Sequence, residues 1–364
     1  MNSLKILYVD TDRVWRGGQE QLLTLMLGIK QRQHQVSLAA PSNSLLSSKA
    51  REWGIETFPF AQRSEVSPWA LFQLWNILRR RDFDIIHLNG PRALLAGGLA
   101  SKLCGVPLRV CSRRVNFPLK SPLSHLKYNW MQESVVTVSI SICQTLIDGG
   151  IRPDLIHVIY EGVDLDWLDS QQPEPLADVH HRLLVGTVAH LSPEKGHLTL
   201  LEAAARIVSK VSDVHFVFVG RGELMSELDG VIQELGIQNH VLLTGFRSDS
   251  EALMKKFDIF CLPSLSEGLS SAILVAMASR LPVIATQVGG IPELVIDGET
   301  GIVVPPNDPD QLAEALCKLL GSCELRQRMG QAGRQRIEES FTLERKLQET
   351  ENLYSHLLAT AGIG

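Results

Sequence analysis

Short apolar segments alternate with longer amphipathic segments along the chain. The apolar segments are runs rich in Val, Ile and Leu, which is typical of strands covered by helices on both faces. Segments such as 20–30 and 69–80 instead repeat Leu, Met or Trp every three or four residues, as amphipathic helices do. The predicted strands are Lys5–Asp10, Gln35–Pro41, Asp84–Asn89, Leu108–Arg113, Val135–Ser139, Leu183–His190, His215–Gly220, His240–Gly245, Ile259–Pro263, Val283–Thr286 and Gly301–Pro305. This pattern predicts an α/β protein with parallel sheets.

The alternation is interrupted by the acidic, proline-containing stretch Asp164–Arg182, which has no clear period. The chain has 364 residues, which is enough for two domains of ordinary size. We therefore expect two Rossmann-like, doubly wound domains, residues 1–170 and residues 171–341. A last helix is predicted over residues 342–360, beginning at a threonine cap.

Composition narrows the class of protein. Hydrophobic residues make up 45% of the chain and charged residues 21%, which excludes a disordered or coiled-coil protein. The formal net charge of −5 argues against a nucleic-acid-binding protein, because such proteins usually carry a basic excess. The six cysteines include no CxxC pair. We expect buried, reduced thiols rather than disulfides, and no metal site.

The sequence predicts neither secretion nor a membrane-spanning helix. The N-terminal apolar run, Ile6–Val9, is too short for a signal peptide, and no run approaches the ~18 apolar residues of a transmembrane helix. Segment 117–130 mixes Lys120 and Lys127 with aromatic residues. It could contact a membrane surface, although ordinary helix packing explains the same pattern. We expect a cytoplasmic protein, with peripheral contact to the inner face of the plasma membrane as a further option.

Candidate binding residues lie where predicted strands end and helices begin, because ligands of open α/β sheets bind at the carboxyl ends of strands. After the first strand, Gly17 and Gly18 precede a helix predicted to begin at Glu20. Glycines at this position let a ligand approach the backbone closely. A tight turn that needs a positive φ explains them equally well.

Two turns of the second half carry candidate phosphate ligands. The string AHLSPEKGH places His190 and Lys195 after a strand, where a lysine can reach a phosphate as a point charge. Taken alone, it also fits a solvated loop lysine. In GRGE, Gly220 and Gly222 form a GxG that lacks the third glycine or alanine of a dinucleotide fingerprint.

The most informative turn follows the predicted strand that ends at Pro263. Glu267 stands at the start of a helix whose first amide groups would face an anion. The helix opens over Gly268–Ser271, and the amides that would face the anion belong to Leu269, Ser270 and Ser271. A carboxylate beside an anion site fits a ligand that carries both phosphates and a polyhydroxyl group, although the helix dipole alone also favours an acidic residue there. A second glycine turn, with Gly290 and Glu293, lies one βα unit later.

In order and spacing, these strings resemble the retaining glycosyltransferases of family 4. The matching strings are RGGQEQ, PEKG, GRGE, SEGLSSAILVAMA, PVIAT, GGIPELV and GIVVPPND. The ordered set covers nearly the whole chain. The resemblance implies the GT-B architecture, in which two Rossmann-like domains face a cleft. It places the nucleotide-sugar donor mainly on the second domain and the acceptor on the first. It also implies that helix 342–360 packs back on the first domain.

The resemblance assigns roles to individual residues. Lys195 would bind the donor phosphate and Glu267 the hydroxyls of the donor sugar, so these two are the candidate catalytic residues. The family's first-domain glycine pair corresponds to residues 17–18. His190 stands where the family usually has an arginine. Val275 stands where a second glutamate commonly accepts hydrogen bonds from the nucleotide ribose, so this chain lacks that acceptor.

On the acceptor side, Arg113 and Arg114 stand where the family frequently has a histidine. Two arginines there could hold an anionic acceptor or a donor phosphate, or they could simply be solvated. His87 ends a predicted strand, and its position fits a residue of the cleft as well as it fits a packed residue.

The sequence therefore predicts a retaining glycosyltransferase that moves a sugar from a UDP- or GDP-sugar to a glycan or lipid-linked glycan, for cell-surface polysaccharide or lipopolysaccharide. Neither a cofactor nor a metal is expected, because such a reaction depends on positioning and on stabilising the leaving phosphate. Two alternatives stay open: a GT-B sugar-nucleotide epimerase, and a non-catalytic sugar-nucleotide-binding protein. The donor base, sugar, acceptor, linkage and oligomeric state are not specified by these patterns.

Overall fold

A computed structural model describes residues 3–62, 64–119, 121–176, 183–211 and 213–362. By its contacts the chain divides into two compact units. Unit 1 comprises Met1–Glu161 and Glu344–Gly364, and unit 2 comprises Gly162–Leu343. Residues 162–170, which the sequence pattern placed in the first domain, thus make their contacts within unit 2. The end of the predicted linker, residues 177–182, lies outside the described residues.

Unit 1 is built on a parallel sheet with helices between its strands. Its strands are β1 (Lys5–Val9), β2 (Gln35–Ala40), β3 (Glu56–Pro59), β4 (Ile85–Asn89), β5 (Leu108–Arg113), β6 (Ser134–Thr137) and β7 (Ile156–Val158). Its helices are α1 (Gly17–Gln31), α2 (Leu45–Glu52), α3 (Pro68–Leu78), α4 (Leu94–Cys104), α5 (Pro122–Trp130) and α6 (Ile140–Asp148), with a 3₁₀ turn at Pro153–Leu155. The strand order is β3-β2-β1-β4-β5-β6-β7. The direction of winding reverses between β1 and β4, which is where open α/β sheets bind ligands.

Unit 2 repeats this construction. Its helices are α7 (Leu165–Ser170), α8 (His197–Val208), α9 (Met225–Glu234), α10 (Ser250–Leu253), α11 (Ser271–Ala278), α12 (Ile291–Leu294), α13 (Pro309–Leu320) and α14 (Cys323–Ser340), with 3₁₀ turns at Pro193–Lys195 and Met254–Lys256. Its strands are β8 (Leu183–Val188), β9 (Val214–Val219), β10 (Val241–Gly245), β11 (Ile259–Leu262), β12 (Val283–Thr286) and β13 (Gly301–Val304). The sheet is parallel in the order β10-β9-β8-β11-β12-β13.

The last helix, α15 (Leu343–Thr360), returns to unit 1 from Glu344 onward. Leu347 packs against Gly28 of α1 so closely that a Cβ at Gly28 would lie 2.4 Å from its side chain. Tyr354 is buried, and its hydroxyl lies 3.3 Å from the hydroxyl of Tyr8 in β1. The core of unit 1 therefore includes side chains from both ends of the chain.

Two parallel Rossmann-like sheets confirm the fold class predicted from the apolar pattern. Each predicted strand has a counterpart, with ends that differ by a residue or two. The pattern missed β3 and β7, whose residues are partly exposed and therefore lack a continuous apolar run. The predicted start of the first helix at Glu20 is wrong, since α1 begins at Gly17.

The expectation about the cysteines is met only in part. All six cysteines are free, but Cys323 is exposed at the start of α14, and three others are only partly buried. Their predicted burial is therefore wrong for part of the set. Within the described ranges, no helix is both long and apolar enough to cross a bilayer.

Candidate active site

The turns that follow β8, β11 and β12 meet at one edge of unit 2. The amide of Leu265 donates to the carbonyl of Glu194 over 2.8 Å, which joins the turn after β11 to the turn after β8. The amide of Gly290 donates to the carbonyl of Gly268 over 3.0 Å and joins the turn after β12 to the same group. The turns singled out in the sequence therefore form one continuous surface at the carboxyl ends of the strands.

Lys195 and Glu267 form an ion pair at this edge. Nζ of Lys195 donates to Oε1 of Glu267 over 2.7 Å, and the side chains are 22% and 7% exposed. Ser264 Oγ donates to the same Oε1 over 2.9 Å, whereas Oε2 makes no hydrogen bond with the described residues. Because a carboxylate oxygen is an acceptor, Oε2 is open to a hydroxyl donor. The pair thus presents an acceptor and a cation side by side.

The N-terminus of α11 lies directly after Glu267. Ser270 is the N-cap, and its side chain accepts a hydrogen bond from the amide of Ile273 at 3.4 Å. In the part of the chain that the structure describes, the amides of Leu269, Ser270 and Ser271 donate to no protein group. Free amides at a helix N-terminus are suited to an anion. The predicted anion site and the predicted hydroxyl acceptor are therefore neighbours.

The two glycines of GRGE are explained by contact between turns. A Cβ at Gly220 would lie 1.9 Å from the carbonyl oxygen of Ala189, and one at Gly222 would lie 2.1 Å from that of Leu191. The turn after β9 thus packs directly against the backbone of the turn after β8, and neither glycine position has room for a side chain. This packing requires both glycines whether or not a ligand approaches them.

His190 lies in the same turn as Lys195. Its Nδ1 is 3.8 Å from a carboxylate oxygen of Glu223, and its carbonyl oxygen is 3.2 Å from Nε2 of His197. Burial lowers the pKa of His197 to about 4, so this ring is neutral near neutral pH. The described ranges contain no group of three or more His, Cys, Asp or Glu side chains that could hold a metal ion.

Glu293 and Val275, which the sequence analysis singled out, both lie in helices of unit 2. Glu293 lies in the short helix α12, where its carbonyl oxygen accepts a hydrogen bond from Arg336 over 2.7 Å. Val275 is 4% exposed in α11, all of whose residues from Ile273 to Ala278 are buried. Val275 is therefore a core residue of unit 2.

In unit 1, the glycine pair forms the first turn of α1. Neither Gly17 nor Gly18 has a positive φ, so the alternative of a tight left-handed turn is wrong. A Cβ at Gly18 would meet the side chain of Arg114 at 3.5 Å, which is an ordinary contact. Among the described residues no contact requires a glycine at position 18, and the approach of a ligand to this turn stays a prediction.

Arg114 belongs to a buried set of charges beside this turn. Its Nε donates to Glu161 over 2.6 Å, and another guanidinium nitrogen bonds the side chain of Asn89. Glu161 also pairs with Lys346 of α15 at 2.5 Å. Burial opposes ionisation of Glu161, but the charges of Lys346 and Arg114 outweigh it and lower its pKa to about 2. Arg114 is thereby held in a fixed position.

His87 and Arg113 are packed inside unit 1, which for His87 is the packed alternative that its position left open. His87 stacks on Tyr8, and its ring nitrogens bond Tyr354 at 2.5 Å and Ser112 at 2.6 Å. Burial lowers its pKa to about 3, which keeps the ring neutral. Arg113 is 3% exposed and donates to the hydroxyl of Tyr128 over 3.0 Å and to the carbonyl of Phe117.

The sequence pattern missed polar residues at the reversal point of this sheet. Asp10, directly after β1, is fully buried and accepts hydrogen bonds from Gln19 at 3.2 Å and from Asn89. Burial raises the pKa of Asp10. The signal that could have located this set is the position of Asp10 and Asn89 at the ends of predicted strands. Which strands are neighbours, however, depends on the sheet order.

Comparison with known proteins identifies the class of enzyme that has this fold and these turns. Residues 15–167 match the family model described as "Glycosyltransferase Family 4", and residues 170–336 match the model described as "Glycosyl transferases group 1". The protein is a glycosyltransferase. The chain belongs to glycosyltransferase family 4, as the resemblance indicated.

Individual relatives match most of the chain. The MMP alpha-(1->4)-mannosyltransferase of Mycolicibacterium hassiacum is 30% identical over 308 residues, which cover 77% of this chain and 72% of the relative. The UDP-Gal:alpha-D-GlcNAc-diphosphoundecaprenol alpha-1,3-galactosyltransferase of Escherichia coli is 30% identical over 305 residues, which cover 78% of each. The crystal structure of Anabaena HepE in complex with UDP-glucose has a TM-score of 0.86 at 24% identity, covering 97% of this chain and 100% of that one. The last comparison concerns the fold alone and agrees with the GT-B class.

Proposed function

We propose that this enzyme transfers a hexose from a UDP-sugar to a lipid-linked glycan, with retention of the anomeric configuration. The observation that carries the proposal is the Lys195–Glu267 ion pair beside the free amides of the α11 N-terminus. The choice of uridine over guanosine is supported by two similar proteins, a galactosyltransferase that is named for UDP-Gal and a protein that was crystallised with UDP-glucose.

The geometry suggests how the donor is held. The amides of Leu269, Ser270 and Ser271 would face the diphosphate, with Lys195 beside them as a mobile cation. Oε2 of Glu267 would accept hydrogen bonds from hydroxyls of the donor sugar. As the bond between sugar and phosphate breaks, negative charge grows on the leaving diphosphate, and donors already aimed at that position lower the barrier.

Retention follows in this proposal from attack on the same face that the diphosphate leaves. A leaving phosphate oxygen would assist the incoming acceptor hydroxyl, so that the protein supplies position and charge rather than a covalent nucleophile. Proton NMR of the first product tests this point. A product with the anomeric configuration of the donor supports the proposal, and an inverted product contradicts it.

We also propose that neither a metal ion nor an organic cofactor takes part. Lys195 and the α11 amides supply the positive charge that the departing diphosphate requires. Turnover should therefore be unchanged when EDTA is added in excess over the protein. A loss of activity that magnesium or manganese restores contradicts this part of the proposal.

A lipid-linked acceptor is supported by apolar side chains on the outer faces of α3, α4 and α5. Trp69 and Phe72 of α3 stack at 5.5 Å between ring centroids, and Trp69 is 63% exposed. Leu103 of α4 and Trp130 of α5 are 71% and 66% exposed. Aromatic and leucine side chains of this kind bind at the interface of a bilayer, and the basic run 79–81 at the end of α3 suits anionic lipids.

We therefore propose a peripheral location at the inner face of the plasma membrane. The predicted role of the segment 117–130 changes, because Lys127 is buried and pairs with Glu65, and Lys120 lies outside the described residues. Replacing Trp69 and Trp130 by serine should abolish sedimentation with phosphatidylglycerol vesicles. Trp53, which is also 63% exposed but lies at the end of α2, provides the matched control. Equal binding by both variants contradicts a membrane role for this surface.

The decisive experiment is a turnover assay with UDP-glucose, UDP-galactose and GDP-mannose, each with and without a diphosphoundecaprenol-linked sugar. Release of UDP that depends on the acceptor supports the proposal. Release of GDP alone contradicts the choice of nucleotide, and conversion of one UDP-sugar into another without release of UDP identifies an epimerase. Absence of any turnover, together with tight binding of UDP, identifies a binding protein.

A further inference from the structure

Ser264 is a buried hydroxyl residue at the end of β11 that no role yet explains. It is fully buried, and its Oγ donates to Oε1 of Glu267 over 2.9 Å. Its own carbonyl oxygen accepts a hydrogen bond from the side chain of Thr286, the last residue of β12. Ser264 is thus tied both to Glu267 and to the end of β12, and has little freedom to move.

The backbone of Glu267 is fixed from the same side. Gly289 has a φ of +53°, and a Cβ there would lie 1.8 Å from the carbonyl oxygen of Glu267. No other residue type fits so close an approach in this backbone conformation. The turn after β12 therefore supports the main chain of Glu267, while Ser264 supports its carboxylate.

The two donors to Oε1 of Glu267 differ in mobility. The side chain of Lys195 is 22% exposed, and its Nζ contacts Oε1 from the end of a flexible four-carbon chain. Ser264 reaches it from inside the unit, through a single short bond from the backbone. In the proposed mechanism Lys195 must turn to the donor diphosphate, and its bond to Glu267 is then lost.

We propose that Ser264 is a positioning residue that keeps Glu267 in place when Lys195 exchanges Glu267 for the diphosphate. The inference rests on the proposed function of this pair and adds a distinction within it: Ser264 is the constant partner of Glu267, and Lys195 is the exchangeable one. Without Ser264, release of Lys195 leaves a nearly buried carboxylate oxygen with no donor, which is costly. Binding of a diphosphate then has to overcome that cost.

The test is a double-mutant cycle on UDP affinity, measured by calorimetry with UDP as the probe. Ser264→Ala should weaken UDP binding by at least about tenfold, since a hydrogen bond to a charged group is lost. In the Glu267→Gln variant, residue 267 is uncharged, so Lys195 breaks no ion pair when UDP binds. In that background Ser264→Ala should change the affinity for UDP by less than about threefold. Ser279→Ala removes a buried hydroxyl of unit 2 that has no hydrogen-bond partner among the described residues; it is the matched control and should change nothing.

The possible results separate the inference from the function on which it rests. An equal loss in both backgrounds, or no loss at all, overturns the positioning role of Ser264 and leaves the proposed function intact. A wild-type protein that binds neither UDP nor GDP overturns the proposed function and this inference with it. Ser264→Cys keeps the size of the side chain with a weaker donor, so its affinity should fall between those of the wild type and Ser264→Ala. It carries the test if the alanine variant does not fold.

Discussion

Two buried carboxylates of this protein are paired with cations. Glu161 lies between Arg114 and Lys346, and in unit 2 Glu267 lies against Lys195. An unpaired charge at such depth would lose more solvation energy than packing returns. At the scale of single residues, the partners of each charge therefore decide what a substitution does.

Replacing Glu161 by glutamine should destabilise the protein by about 3–5 kcal/mol at neutral pH, because two buried cations lose their anion. The pKa of Glu161 in the folded protein, about 2, lies below its ordinary value of 4.5. Its contribution is thus fully present above pH 4.5 and is lost as the pH falls toward 2. Urea unfolding across this range should show the difference between wild type and variant shrinking as the pH falls. A difference independent of pH contradicts the assignment.

The exposed pair of Glu56 with Arg81 serves as the control for that experiment. Both side chains are about half exposed, at 47% and 56%, so the pair is screened by solvent. Glu56→Gln should cost less than about 1 kcal/mol at any pH in the series.

Lys195→Ala should lower kcat by about 10²–10³-fold with little change in melting temperature, because its contact strengthens as charge develops on the leaving phosphate. The measurement is a steady-state assay with the UDP-sugar that the wild type uses. Lys210→Ala removes an exposed lysine of the same unit and should leave kcat unchanged. If Lys195→Ala keeps the kcat of the wild type, Lys195 is only a surface lysine of that turn.

At the scale of elements, two helix glycines that look alike in the sequence have opposite environments. Gly28 of α1 faces Leu347 of α15, whereas at Gly230 of α9 no described atom outside the adjacent backbone of the same helix lies within 4 Å of the position of a Cβ. Gly230→Ala should stabilise unit 2 by up to about 1 kcal/mol through helix propensity. Gly28→Ala should destabilise unit 1 by about 1–3 kcal/mol, because the new methyl group overlaps Leu347. Melting temperatures that move in the same direction contradict this account.

The extent to which the sequence predicts an element depends on its burial. Strands such as β5 and β12, buried on both faces, were predicted with their observed ends, whereas β3 and β7 were missed because their side chains are partly exposed. In the site, the sequence identified Lys195 and Glu267 separately but not their contact, since that depends on β8 and β11 being neighbours. Ser264 was missed because nothing in a serine near a strand end distinguishes a buried donor from a loop residue.

At the scale of the whole molecule, unit 1 is assembled from two separate parts of the chain. Removing residues 344–364 should expose Tyr8 and His87, which pack against Tyr354, and leave Glu161 without Lys346. Hydrogen exchange should then become faster in β1, β4 and α1, while β8, β9 and β11 keep the protection of the full chain. Faster exchange in both sheets, or in neither, contradicts the division into units.

The position of α15 has a consequence for synthesis on the ribosome. All of unit 2 is translated before the residues that complete the interior of unit 1. The surface around Tyr8 and His87 in the nascent first domain therefore stays uncovered while about 180 further residues are synthesised. At common elongation rates this synthesis takes roughly 10–40 s. During that interval the uncovered surface is open to chaperones and to other nascent chains. The domain that is begun first is thus the one that is finished last.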